Sequence, residues 1–136
     1  MSALRWETQL MIGAFTDGPA LRATAFITYA NWLLANGNGT AFVTNTLWPI
    51  LKLDLDYVQN NWNQSTFDLW EEVNSSSFFT TAVQHRALRE GAALATKIGQ
   101  TSVVTGYTTQ AQNLLCFLQV CLIAPYIHLY LHFSIS

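Results

Sequence analysis

Apolar residues in this chain recur at helical rather than strand spacing. Asp17-Gly18-Pro19 opens the first run. A carboxylate there can cap free amides, and proline suits a first turn, where no amide donor is needed. Leu21, Phe26, Ile27, Ala30, Leu33 and Leu34 keep the helical period, while Ala23, Ala25, Tyr29 and Trp32 fill much of the remaining circumference. A helix over 20–34 is therefore apolar nearly all round, the pattern of a helix buried among others. Asn36-Gly37-Asn38-Gly39 ends it, since glycine and asparagine tolerate left-handed dihedrals. A second helix is predicted from about Thr40 to Asn61, striped by Trp48, Leu51, Leu55 and Val58. Pro49 inside it predicts a kink or two pieces. Residues 60–66 read as loop, and Ser75-Ser76-Ser77 as the start of a third helix over Phe78 to Ile98. Residues 99–110 read as polar loop, and Ala111 to Ser136 as a fourth apolar stretch. No strand alternation exceeds a few residues, so the predicted class is all-α, made of helical hairpins.

Composition narrows the function. At 136 residues the chain is one domain of ordinary size. Charged residues are 10% of it against about 25% in ordinary soluble domains. Six Lys+Arg face eight Asp+Glu with no basic cluster, which excludes nucleic acid as a partner. Two cysteines make neither a disulfide framework nor a zinc site. His128 and His132 stand at metal-ligand spacing without a third ligand, so no metal is expected. No GxGxxG, P-loop or HExxH motif is present, and no cofactor is expected. Residues 1–15 include Arg5 and Glu7 and lack a long apolar core, so they do not read as a signal peptide. Leu114 to Ile135 is long enough to cross a bilayer, but Gln119, Pro125, His128 and His132 interrupt it and argue against a span.

The last charged residue is Lys97, whereas Asp54, Asp56, Asp68, Glu71 and Glu72 lie between Lys52 and Arg86 with no base among them. Clustered carboxylates raise one another's pKa, one route to a proton donor near neutral pH. The densest chemistry falls between Trp62 and Phe79. If residues 67–74 are helical, Asp68 faces Glu71 and Glu72 at spacings of three and four. Carboxylates beside Trp62, Phe67 and Trp70 suit sugar hydrolysis, in which an apolar wall keeps one acid protonated. A solvated acidic patch at a helix end fits the same residues. Asn38, Asn63 and Asn74 each open an Asn-X-Ser/Thr triplet, and Asn63 and Asn74 are the candidate glycan acceptors. His85, within a predicted helix, reads as structural.

Several longer runs carry a resemblance. Asp17-Gly18-Pro19-Ala20-Leu21-Arg22-Ala23-Thr24-Ala25, Trp62-Asn63-Gln64-Ser65, Asp68-Leu69-Trp70-Glu71-Glu72-Val73-Asn74, Ser76-Ser77-Phe78-Phe79-Thr80 and Val83-Gln84-His85-Arg86-Ala87-Leu88 follow one another in order. Together they resemble fungal glucoamylases, glycoside hydrolase family 15, over residues 17–119. The resemblance implies a partial (α/α)6 toroid, about a third of the family's catalytic domain. It implies removal of glucose from non-reducing ends of starch and maltooligosaccharides with inversion. Glu71 then aligns with the general acid, Glu72 with its substrate-binding neighbour, Asp68 with an aspartate beside the acid, and Trp70 with the site wall. Asp17 and Arg22 read as structural.

The departures set further expectations. The family's general base and its earlier Trp-Thr-Arg-Asp clamp match nothing here, and Cys116 aligns with a cysteine whose usual partner is not in this sequence. Inversion needs two carboxylates roughly 6.5–9.5 Å apart with water between them. Residues 1–16 and the apolar tail 120–136 read as non-family sequence. The expectation is an incomplete gene product, inactive alone and extracellular only by family. Two other readings stay open: a small non-enzymatic helical protein anchored through its C-terminal stretch, and a carbohydrate-binding remnant.

Overall fold

Helix α1 spans Asp17–Ala35 in a computed structural model that describes residues 17–37, 39–64, 66–67, 74–75 and 77–133. Its buried positions Ala20, Ala23, Ile27 and Ala30 recur at steps of three and four, one stripe of the cylinder. The opposite side is not covered: Leu21, Tyr29 and Trp32 are exposed, Trp32 to 60%. Its expected burial all round is thus not met among the described residues, because its neighbours pack on one flank only. Gly37 follows at φ 73°, a left-handed turn that glycine reaches without strain, and the Asn36 amide donates to the Trp32 carbonyl.

Helix α2 (Thr40–Phe42), a π turn (Val43–Leu47) and helix α3 (Trp48–Asn61) follow one another directly. Of the kink or two pieces expected at Pro49, the structure shows two α-helical pieces joined by the π turn. Proline has no N–H for the Asn45 carbonyl and its ring crowds that oxygen. The wider turn relieves the crowding, and the Trp48 amide donates to the carbonyl of Val43, five residues back. Val43, Leu47, Trp48, Leu51, Leu55 and Val58 are all buried.

Two short strands, β1 (Thr66–Phe67) and β2 (Asn74–Ser75), pair antiparallel, Thr66 opposite Ser75 and Phe67 opposite Asn74. Helix α4 (Phe78–Lys97) starts at the extended residue Ser77. It ends where the Gln100 amide closes back on the Ala95 carbonyl at 2.8 Å. A 3-10 turn (Thr101–Val103) leads into helix α5 (Val104–Phe133). Much of the loop expected over 99–110 is therefore helix. Tyr107, Ala111 and Leu114 make a buried stripe at steps of four and three, while Thr105, Thr108 and Thr109, which made the stretch look polar, face water. Helix α5 continues through Gln119 and Pro125.

Helix α4 is the hub, packing along α1 on one side and α5 on the other, with α3 against α1 and α4. Gly91 makes the α3–α4 crossing possible: a Cβ there would lie 2.6 Å from Leu55 Cδ1 and 2.9 Å from Cδ2. Among the described residues, no helix is long and apolar enough to cross a membrane.

Candidate active site

The acid-bearing segment falls between the two strands. Asp68, Trp70, Glu71 and Glu72 lie outside the described residues, but both flanks of the segment are in view. The ribbon brings residue 67 opposite residue 74, which closes the base of a six-residue connection. A helix running the whole length of 67–74 is accordingly not what forms, since Phe67 and Asn74 are extended. Threonine and phenylalanine at 66 and 67 favour that conformation.

Each stem of this ribbon is tied to a helix. Upstream, the Trp62 amide bonds to the Val58 carbonyl at 3.1 Å and the Gln64 amide to the Asn61 carbonyl at 3.1 Å, continuing the end of α3. The indole of Trp62 is half-buried and donates Nε1–H to Gln110 Oε1 of α5 at 2.9 Å. The same oxygen accepts from Asn113 Nδ2 at 3.2 Å. Phe117 meets the Trp62 ring edge-on, with centroids 6.2 Å apart. Downstream, the Thr81 amide and hydroxyl both donate to the Ser77 carbonyl, at 3.0 and 2.8 Å. Gln110 was concealed in the sequence by the apparent polar loop; the step from Tyr107 to Ala111 was the signal that could have exposed it. Asn63 is exposed in the turn just after α3, Asn74 lies in β2, and Asn38 is outside the described residues.

Two carboxylates of the acid-rich stretch are neutralised from outside it. Asp54, 4% exposed, receives Arg22 Nε at 2.7 Å and Nη2 at 2.5 Å, a two-pronged clamp from α1 to α3. The pair pushes the Arg22 pKa up, first through the hydrogen bond and then through charge. Asp56 takes Lys52 Nζ at 2.5 Å and the Tyr107 hydroxyl at 2.7 Å. Burial, aided by Asp56, pushes the Tyr107 hydroxyl well above the ordinary phenol range. Asp54 and Asp56 are thus fixtures between helices rather than members of an uncompensated acid cluster, and the structural reading of Arg22 agrees.

A groove of about 330 Å³ separates α4 from α5, lined by His85, Arg89, Ala92, Thr108, Ala111, Gln112 and Leu115. Burial, then the charge of Arg89, lowers the pKa of His85 below its ordinary 6.5. The unfolded chain therefore binds this proton more readily than the folded one. Stability from this residue is complete above pH 6.5 and declines as pH falls through the lower folded value. We expect a His85→Gln variant to lose less stability than wild type between pH 7 and pH 5 in urea titrations; parallel losses would refute it. Among the described residues no cluster of three or more His, Cys, Asp or Glu side chains could hold a metal ion.

Helical hairpins packed about a hub helix fit part of an (α/α)6 toroid. Solved structures bear this out. A glycoside hydrolase family 15 glucoamylase from Hypocrea jecorina superposes with a TM-score of 0.72 at 56% identity, over 76% of this chain and 17% of its own. Hormoconis resinae glucoamylase gives 0.69 at 56% identity over 76% and 17%. The sequence model for glycosyl hydrolases family 15 matches residues 16–132, and the chain belongs to that family. Glucoamylase-1 of Schizophyllum commune is 63% identical over 103 residues, 76% of this chain and 17% of that protein. Glucoamylase P of Amorphotheca resinae is 57% identical over 103 residues, 76% and 16%. The chain thus spans about a sixth of the length of these curated relatives.

Proposed function

We propose that this chain carries the proton-donating half of a glucoamylase-type site. The substrates are starch and maltooligosaccharides, and the reaction releases glucose from non-reducing ends with inversion. Glu71 protonates the departing glycosidic oxygen, Glu72 binds sugar hydroxyls, Asp68 supports the acid, and Trp70 offers a face to the pyranose ring. An acid of this kind must hold its proton until the bond breaks, which a site walled by aromatic rings favours. The observation that carries the reading is the 63% identity to a glucoamylase across the stretch that includes these four residues. Inversion also requires a second carboxylate on the far side of a water molecule. No residue of this sequence matches the family's base, so the 136 residues alone release little or no glucose. Exposed Asn63 and the ribbon residue Asn74 are the proposed glycan acceptors if the chain is secreted.

The test replaces the matching segment of the Schizophyllum commune glucoamylase with residues 17–119. The chimera should hydrolyse maltose, and Glu71→Gln within it should lower kcat by about 10²–10⁴-fold, the usual worth of a general acid. The isolated chain should give no glucose above a buffer blank. A Glu71→Gln chimera as fast as its parent would overturn the assignment.

A further inference from the structure

The Trp62–Gln110 contact joins residues 48 positions apart, yet neither belongs to the acid-bearing segment. Helix α3 ends at Asn61, and β1 begins at Thr66; between them, among the described residues, Trp62 is the side chain packed against the hydrophobic core. Three things hold it: its backbone bond to Val58, the edge-on ring of Phe117, and the Gln110 acceptor. Phe117 supplies contact without direction. The indole N–H can satisfy only an acceptor lying in its own plane, so Gln110 sets the rotation of the ring about its stem. Asn113 donates to the same oxygen and so fixes which end of the Gln110 amide faces Trp62. Only residues 63–65 separate this fixed ring from the ribbon, and Gln64 is tied back to Asn61 by backbone and side chain.

We infer that Gln110, oriented by Asn113, is a positioning residue: acting through Trp62, it fixes where the β1–β2 ribbon leaves the helical core. The inference deepens the proposed function, because the segment between the strands bears Glu71, but it can fail independently. An apolar residue at 110 keeps the helix and leaves the indole N–H without its partner. Trp62 then settles against Phe117 in more than one rotation, and the ribbon loses its fixed origin.

The experiment uses the full chain. Gln110→Leu, Gln110→Glu and Trp62→Phe are compared by amide hydrogen exchange across residues 64–77. In Gln110→Leu and Trp62→Phe, exchange should quicken about tenfold over the ribbon and remain unchanged in α1 and α4. In Gln110→Glu, which keeps an acceptor, protection should return to the wild-type level. The double variant Trp62→Phe with Gln110→Leu should be no worse than either single one, since both remove the same bond. Unchanged ribbon exchange in Gln110→Leu, additive losses in the double variant, or loss spread evenly over all helices would each overturn the inference. In the same samples a ¹³C titration of the Glu71 carboxyl separates the two ideas. An ordinary glutamate midpoint in the wild type would count against the acid assignment while leaving the ribbon result standing.

Discussion

An Arg22→Met variant is expected to unfold with about 2–3 kcal/mol less free energy than the wild type, the larger part of the cost of stranding a buried charge. Asp54→Asn is expected to lose only about 1 kcal/mol. The asymmetry follows from where each partner sits. The Asp54 side chain is 5% exposed, and that of Arg22 is 59% exposed. Without the guanidinium, a carboxylate stays in the seam between α1 and α3 with its main partner gone. Without the carboxylate, the guanidinium simply turns to water, and asparagine still offers it an oxygen. Half-exposure of Arg22 also lets solvent screen the pair, which keeps the expected loss below that of a fully enclosed one. Urea midpoints for the two variants measure the order directly. If Asp54→Asn proves the more damaging, the clamp is not what holds these helices together.

The second large effect concerns the α3–α4 crossing. Leu55→Ala should cost about 3 kcal/mol, because a fully buried leucine leaves a cavity that its neighbours only partly refill. Gly91→Ala should cost about 1–2 kcal/mol: overpacking against Leu55 outweighs the gain of about 1 kcal/mol in helix propensity. Leu55 cannot swing aside, since its side chain is closed in on every side. Combined, the added methyl at 91 occupies part of the space vacated at 55, so the double variant should lose clearly less than the two single losses added together. Simple additivity in thermal or chemical denaturation would mean that the two residues do not share this contact.

How much of this could be read in advance depends on the kind of signal. Helices α1, α3 and α4 were legible because their apolar residues recur every three or four positions between unambiguous punctuation, such as Asn36-Gly37 and the serines before Phe78. The start of α5 was not, because Thr105, Thr108 and Thr109 are polar enough to suggest loop, and the buried stripe beneath them begins with a tyrosine. Pro49 marks a disturbance in the sequence, but whether a proline bends, breaks or widens a helix depends on the room around the carbonyl four residues before it, which only packing decides. Lys52, four residues before Asp56 on the same helix, is a partner that spacing can suggest, but the distant partners Arg22 of Asp54 and Tyr107 of Asp56 were hidden. Arg22 lies on another helix, and nothing local ties it to residue 54. In the candidate site, the roles proposed for residues 68, 70, 71 and 72 rest on their order along the chain. The support from Gln110 could not be read there, because a contact spanning 48 positions has no sequence period.

The π turn at Val43–Leu47 has a consequence for length changes in this part of the chain. Each residue of an α-helix advances the facing direction by about 100°. The π turn already absorbs one extra residue, so removing a single residue between 43 and 47 would let the backbone tighten to ordinary winding with Leu51, Leu55 and Val58 still facing the core, whereas inserting one would swing them away by about that angle. A one-residue deletion should therefore be tolerated there better than a one-residue insertion, although Thr44, Asn45 and Thr46 give no hint of that asymmetry in the sequence.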